Sequence, residues 1–229
     1  MSEAANHVET ARAVFDASAD RYVEFIGTEI SSATETPIDQ SLLTAFAELV
    51  TEFSEAIDGG RALVADIGCG PGRAAALLAR RGINVVGIDV SEAMLTRARS
   101  AHPNIEFCLG SLDNLPLDNG SAAGITCWYS IIYTPPGLLD QSFAEIKRVI
   151  VDDGYLLLAF QAGGVATHTP DAHATGLPLT NYQHNISDVT ARLELAGFAI
   201  HATTLRAPIL QHETSPQAFV IARKRALAL

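Results

Sequence analysis

The chain has 229 residues, of which 48% are hydrophobic and 18% charged, a balance that suits one α/β domain with a sizeable core. Its formal net charge of −11, with dispersed arginines and lysine only at Lys147 and Lys224, argues against a nucleic-acid partner, because phosphate binding rewards a basic face. No apolar run reaches the roughly 18 residues of a spanning helix, and the acidic start does not read as a signal peptide. Cys69, Cys108 and Cys127 lack close C-x-x-C spacing, so no zinc or other metal site is expected and the reading is cytoplasmic.

In chain order, Ala11, Phe15, Tyr22, Ile26 and Ile30 recur at helical spacing. A polar break over 31–37 precedes a second helix from about Ile38 to Ile57, with an apolar stripe through Leu42, Leu43, Phe46, Leu49, Val50 and Phe53, closed by Gly59-Gly60. Residues 1–58 therefore read as a helical cap on a domain spanning 59–229. From Ala62 onward, short apolar runs alternate with helical patterns. Strands are expected at Ala62–Ile67, Asn84–Ile88, Ile105–Leu109, Gly124–Tyr129, Tyr155–Phe160, Phe198–Leu205 and Ala218–Ala222. Helices are expected at Arg73–Arg81, Glu92–Ala101, Leu139–Val151 and Ser187–Ala196. Continuous apolar strands separated by helices imply a Rossmann-like, doubly wound, mostly parallel sheet of seven strands, and the last two strands, with no helix between them, imply an antiparallel end. Gln161–Gln183 reads as a long functional connection, and Arg223-Lys224-Arg225 as a solvated end.

Ligands of such a sheet sit beyond the carboxyl ends of its strands. There the sequence Asp66-Ile67-Gly68-Cys69-Gly70-Pro71-Gly72 links the first strand to a helix. Its glycines permit a sharp turn and close backbone approach, and the helix start offers unpaired N–H groups. The second strand ends at Asp89, 23 residues after Asp66, a placement suited to a carboxylate accepting ribose hydroxyls, with Ser91 as the next helix's N-cap.

The D-I-G-C-G-P-G loop, the G-I-D-V-S-E-A-M-L segment and the later strand tips resemble class I S-adenosylmethionine-dependent methyltransferases, and among them the small-molecule enzymes similar to quinone-biosynthesis methyltransferases. The resemblance covers roughly residues 62–198. It implies that Gly68, Cys69, Gly70 and Gly72 surround the methionine part of S-adenosylmethionine, with Asp66 orienting its ammonium group. Asp89 would bind the ribose and Val90 and Met94 would pack on adenine. Gly110, Ser111 and Leu112 would meet the adenine edge, where many relatives carry an acid at the Ser111 position. Trp128 and Tyr129 would hold the ammonium, Tyr133 would face the acceptor, and Tyr22 or Arg21 of an N-terminal lid would reach the carboxylate.

The implied reaction is in-line transfer of a methyl group from a sulfonium to an unidentified small molecule, in which placement alone can remove roughly 7–11 kcal/mol of barrier. A general base is needed only if the acceptor must lose a proton, and His168, His173 and His184 are the histidines near the expected acceptor loop. Two other readings stay open: a cofactor-binding protein without turnover, and a nicotinamide-dependent oxidoreductase, whose fingerprint wants glycine where Arg73 stands.

Overall fold

The computed structural model describes residues 3–58 and 62–226. Helix α1 spans Glu3–Ile26 and ends where Gly27, at φ +76°, turns the chain away while its N–H still reaches Val23 O at 2.8 Å. The stripe expected to continue to Ile30 thus stops a turn early. Helix α2, Pro37–Asp58, starts with proline in its first turn and a reciprocal cap: Thr36 N–H donates to Asp39 Oδ2 at 2.8 Å, and Asp39 N–H to Thr36 Oγ1 at 3.4 Å. The expected Gly59-Gly60 stop lies outside the described residues.

The remaining chain runs β1 (Leu63–Ile67), α3 (Arg73–Arg80), β2 (Asn84–Asp89), α4 (Glu92–Ala101), β3 (Glu106–Leu109), β4 (Ala122–Trp128), α5 (Leu139–Val149), β5 (Ile150–Gln161), β6 (Ala166–Thr169), β7 (Leu179–Tyr182), α6 (Ile186–Ala196), β8 (Phe198–Arg206) and β9 (Gln217–Lys224). Seven strands form one sheet in the order β3-β2-β1-β4-β5-β9-β8, and β9 runs antiparallel to both of its neighbours. This is the Rossmann-like sheet with an antiparallel last strand that the pattern implied.

Several boundaries differ from expectation, the largest shift being the start of β5 at Ile150 rather than Tyr155. α5 ends at Val149, not Val151, because the chain enters β5 directly at Ile150. β4 begins two residues earlier, at Ala122, and stops at Trp128, since Tyr129 takes the left-handed conformation with φ 64°. The connection 161–183 is not structureless: β6 and β7 pair antiparallel as a separate two-stranded sheet. Arg223 and Lys224 belong to β9 and ion-pair with Asp153 and Asp152 at 3.1 Å each, while Arg223 and Arg225 remain exposed as expected of a solvated cluster.

Both sheet faces are covered. Leu43, Phe46 and Val50 of α2 pack with Ala75 and Leu78 of α3 and Leu95 of α4 on one face, over Val64 and Leu157. Phe143 and Ile146 of α5 and Val189 and Leu193 of α6 cover the other, over Ile67, Ile125 and Leu158. α2 is therefore a layer of the core, whereas α1 lies across the strand tips against α4. Fully burying each such side chain contributes about 1.5–3 kcal/mol. Strand order reverses between β1 and β4, which opens a crevice at their carboxyl ends.

Candidate functional site

The turn after β1 is pinned to the tip of β2. Gly68 N–H and Cys69 N–H both donate to Ile88 O, at 2.7 and 3.1 Å. One residue on, Gly70 N–H donates to Asp89 Oδ2 at 2.8 Å, and Ser91 N–H donates to Asp89 Oδ1 at 2.9 Å. Ser91 caps α4 as expected, its hydroxyl accepting from Met94 N–H at 3.1 Å. Burial pushes the Asp89 carboxyl above its ordinary range, while the N–H groups of Ser91, Gly70 and Val90 work against that shift. The glycine turn and the strand-tip acid converge on one place.

They open into a cavity of about 120 Å³ at the crevice. Tyr22, Gly68, Gly70, Asp89, Val90 and Met94 line it. So do Gly110, Ser111 and Leu112 after β3, and Trp128, Tyr129 and Tyr133 after β4. α1 roofs it with His7, Val8, Ala11 and Phe15. Phe15 meets Tyr133 edge-on at 5.2 Å between centroids and Tyr22 at 5.6 Å. Burial raises the phenol pKa of Tyr22, Tyr129 and Tyr133, so each is a neutral hydroxyl at ordinary pH.

Other expected site residues lie elsewhere. Asp66 is buried under the turn on the α3 side of the sheet, where its Oδ2 accepts from Ala75 N–H at 3.0 Å and its Oδ1 has no partner among the described residues. Burial lifts its carboxyl to about 7. Alternation along β1 explains this: Ile67 faces α5, so Asp66 must face α3 rather than the cleft. Cys69 turns its side chain into the core beside Phe107, and burial pushes its thiol up. Gly72, at φ +85°, is a packing glycine, because a Cβ there would lie 2.9 Å from both the His102 and the Phe107 ring.

The histidines expected near the acceptor, His168, His173 and His184, also fall outside the cavity lining. His168 is exposed on β6, its Nδ1 3.1 Å from Thr180 Oγ1. His184 is buried, its Nε2 bonded to Ile131 O at 3.0 Å. His173 sets its ring behind the roof, tilted against Phe15 at 5.7 Å and edge-on to Tyr22 at 5.8 Å, and burial lowers its pKa. Arg21 reaches neither the turn nor the strand tips; it donates to the carbonyls of His173 and Ala174. Arg73 bonds Glu29 O at 3.2 Å and pairs with the buried Glu35 carboxylate, so the residue standing at the third-glycine position clamps the segment between α1 and α2.

Sequence reasoning missed four lining residues of note. Ser130 and Thr134 carried no signal beyond their neighbours. Phe15 stood on the α1 stripe without being assigned to a site. His7 acquires its position only through Asp113, far away in the sequence.

A doubly wound sheet with a glycine turn bonded to the acid of the next strand tip is the architecture of a nucleotide-type ligand site. Residues 64–154 match the family model described as "Methyltransferase domain". A probable S-adenosylmethionine-dependent methyltransferase of Mycolicibacterium smegmatis is 29% identical over 142 residues, which cover 61% of this chain and 53% of that protein. The ubiquinone/menaquinone biosynthesis C-methyltransferase UbiE of Campylobacter jejuni is 31% identical over 102 residues, 42% of this chain and 43% of that one. The chain thus spans about half the length of these curated relatives or less. The crystal structure of magnesium protoporphyrin IX methyltransferase from Synechocystis PCC 6803 with bound SAH superposes with a TM-score of 0.69, at 20% identity, covering 95% of this chain and 99% of that one. Residues 64–154 thus match a methyltransferase domain, and the chain shares the fold of that solved structure.

Proposed function

We propose that this protein transfers a methyl group from S-adenosylmethionine to a small molecule, by in-line displacement in the cavity between the strand tips and α1. The observation that carries the reading is the Gly70–Asp89 hydrogen bond at the edge of that cavity, which joins the backbone turn and the acid in one ligand-facing unit.

The residues fit such a donor. A Cβ placed on Gly70 would meet nothing within 4 Å, so the turn faces open space. Gly70 N–H and Ser91 N–H bond different Asp89 oxygens, and a carboxylate so held keeps acceptor capacity for a ribose hydroxyl. In this reading Gly68 and Gly70 let the backbone approach the methionine part, with Trp128 and Tyr129 beside it. Val90 and Met94 form the apolar base slot, and Gly110, Ser111 and Leu112 its edge. Asp66 holds the turn from beneath through Ala75 rather than touching the ligand. When bound, the donor supplies an electrophilic methyl on a sulfonium. The chain's part is placement and exclusion of water: Phe15, Tyr22 and Tyr133 close the acceptor side, and Tyr133 presents a neutral hydroxyl there. Residues 1–58 then divide, α1 acting as the lid and α2 as scaffold of the domain that follows.

A cytoplasmic setting and a small-molecule acceptor suit the free cysteines and the net charge of −11. Among the described residues, no helix is long and apolar enough to cross a membrane. Calorimetry with S-adenosylhomocysteine and with NADH, followed by transfer from labelled donor into an extract of small metabolites, tests the reading. Tight S-adenosylhomocysteine binding with label in a metabolite is the expected result. Preference for NADH would make the protein an oxidoreductase, and binding without transfer to any acceptor would make it a binder.

A further inference from the structure

His7 stands on the first turns of α1 and lines the cavity together with Ser111 and Leu112. Its side chain is only 14% exposed, and its Nδ1 is buried with no hydrogen-bond partner among the described residues. Its other nitrogen, Nε2, lies 3.8 Å from Asp113 Oδ2. Asp113 is itself held in place, its Oδ1 accepting from the Ser142 hydroxyl at 2.8 Å, and it does not line the cavity. A buried ring nitrogen without a partner costs on the order of a lost hydrogen bond, so its placement at a ligand cavity calls for a ligand atom.

The position of that atom follows from the sheet. The turn lies after β1 and the ribose acid after β2, so a nucleoside laid along the tips in strand order places its base at the tip of β3, beside Ser111 and Leu112. Nε2 faces the Asp113 carboxylate, so in the tautomer that carries its proton there Nδ1 is left as a lone-pair acceptor toward the cavity. An acceptor at a base edge matches an exocyclic amino group and clashes electrostatically with a keto oxygen.

We propose that His7, oriented by Asp113 and Ser142, reads the 6-amino edge of adenine from the lid side. This rests on the methyl-donor reading above and adds a recognition residue to it. It also assigns α1 a part in choosing the nucleobase, beyond covering it.

The test compares binding of S-adenosylhomocysteine with that of its analogue in which hypoxanthine replaces adenine, by calorimetry on the full chain. The unaltered protein should prefer the adenine ligand by about tenfold or more, the usual cost of facing an acceptor with an acceptor. His7→Leu, which keeps bulk in the lid, should reduce that preference to near unity while still binding both ligands. His7→Asn, whose amide oxygen can stand where Nδ1 stood, should restore part of it. Asp113→Asn, which frees the tautomer, should give an intermediate preference. A preference unchanged in His7→Leu, or absent in the unaltered protein, overturns the proposal. Failure of the unaltered protein to bind either ligand would instead sink the methyl-donor reading itself.

Discussion

The floor and the roof of the cavity are held by different physics. The floor is backbone: Gly68, Cys69 and Gly70 donate N–H groups to the tip of β2, and Asp89 ties that turn to the start of α4. The roof is side chain: Phe15 and Tyr22 make edge contacts, Asp16 reaches Ser91 and Ala93, and Arg21 clasps two carbonyls of the 172–174 turn. Backbone bonds in a covered sheet set atoms to a fixed geometry, whereas exposed side-chain contacts can be broken and remade at low cost. The floor suits the invariant part of a ligand, and the roof is where opening and selectivity can reside.

The largest break should come at the floor. Gly70→Val should abolish S-adenosylhomocysteine binding in a protein that still folds, because the added side chain enters empty cavity rather than packed core. The φ of +52° adds strain of about 1–2 kcal/mol for a non-glycine residue. Calorimetry alongside a thermal melt separates the two effects; a folded variant that binds normally would show the turn does not face the ligand. Asp89→Ala should be next, weakening binding by about tenfold or more, since it removes a charge-assisted acceptor and orphans the Gly70 and Ser91 N–H groups. Unchanged affinity would mean the acid is structural only.

Beneath the floor, Asp66 makes the comparison titratable. Its carboxyl is raised from 3.8 to about 7, mainly by burial, so the folded protein holds a proton there that the unfolded chain releases. A group that binds its proton more tightly when folded contributes stability below its unfolded value, and loses it as pH rises through the interval from 3.8 to about 7. Asp66→Asn should therefore flatten the decline in stability over that interval, measured by urea unfolding across pH. An equal slope in both proteins would place the proton elsewhere.

The difference between floor and roof also governs what the amino-acid order discloses. The turn, Asp89 and the Ser91 cap were readable because each rests on neighbours within a few residues and on an apolar strand before it. The motif position of Asp66 suggests a ligand contact because it says nothing of strand alternation, which aims the side chain at Ala75. The β6–β7 hairpin was hidden: the residues of β6 are exposed throughout, with no alternation to reveal a strand, and the hairpin closes through a long turn without a tight-turn pair. His168 and His173 point to the acceptor only by lying in that segment, and the hairpin sends one to solvent and the other behind Phe15. His7 carried no local signal at all, since a lone histidine at a helix start gains meaning only from Asp113 across the fold.

The smallest predicted effect probes the seam where roof meets floor. Asp16 sits on α1, yet its Oδ1 accepts from Ser91 Oγ at 2.7 Å and from Ala93 N–H at 3.2 Å, so it caps the N-terminus of α4 from a different helix. An acid there satisfies an unpaired donor and faces the positive end of the helix dipole. Arg12, 3.4 Å from Oδ2, already shares its charge, and the side chain is 32% exposed, so solvent screens the interaction. Asp16→Ala should lower stability by about 1 kcal/mol, within the range for a lost cap. Its more telling effect should be kinetic: a roof loosened at this seam opens more often, so S-adenosylhomocysteine should dissociate several-fold faster with little change in association rate. Asp16→Asn, which keeps an acceptor oxygen without the charge, should recover most of both losses. Stopped-flow displacement measures the rates directly, and an unaltered dissociation rate would mean that the lid does not pivot on α4.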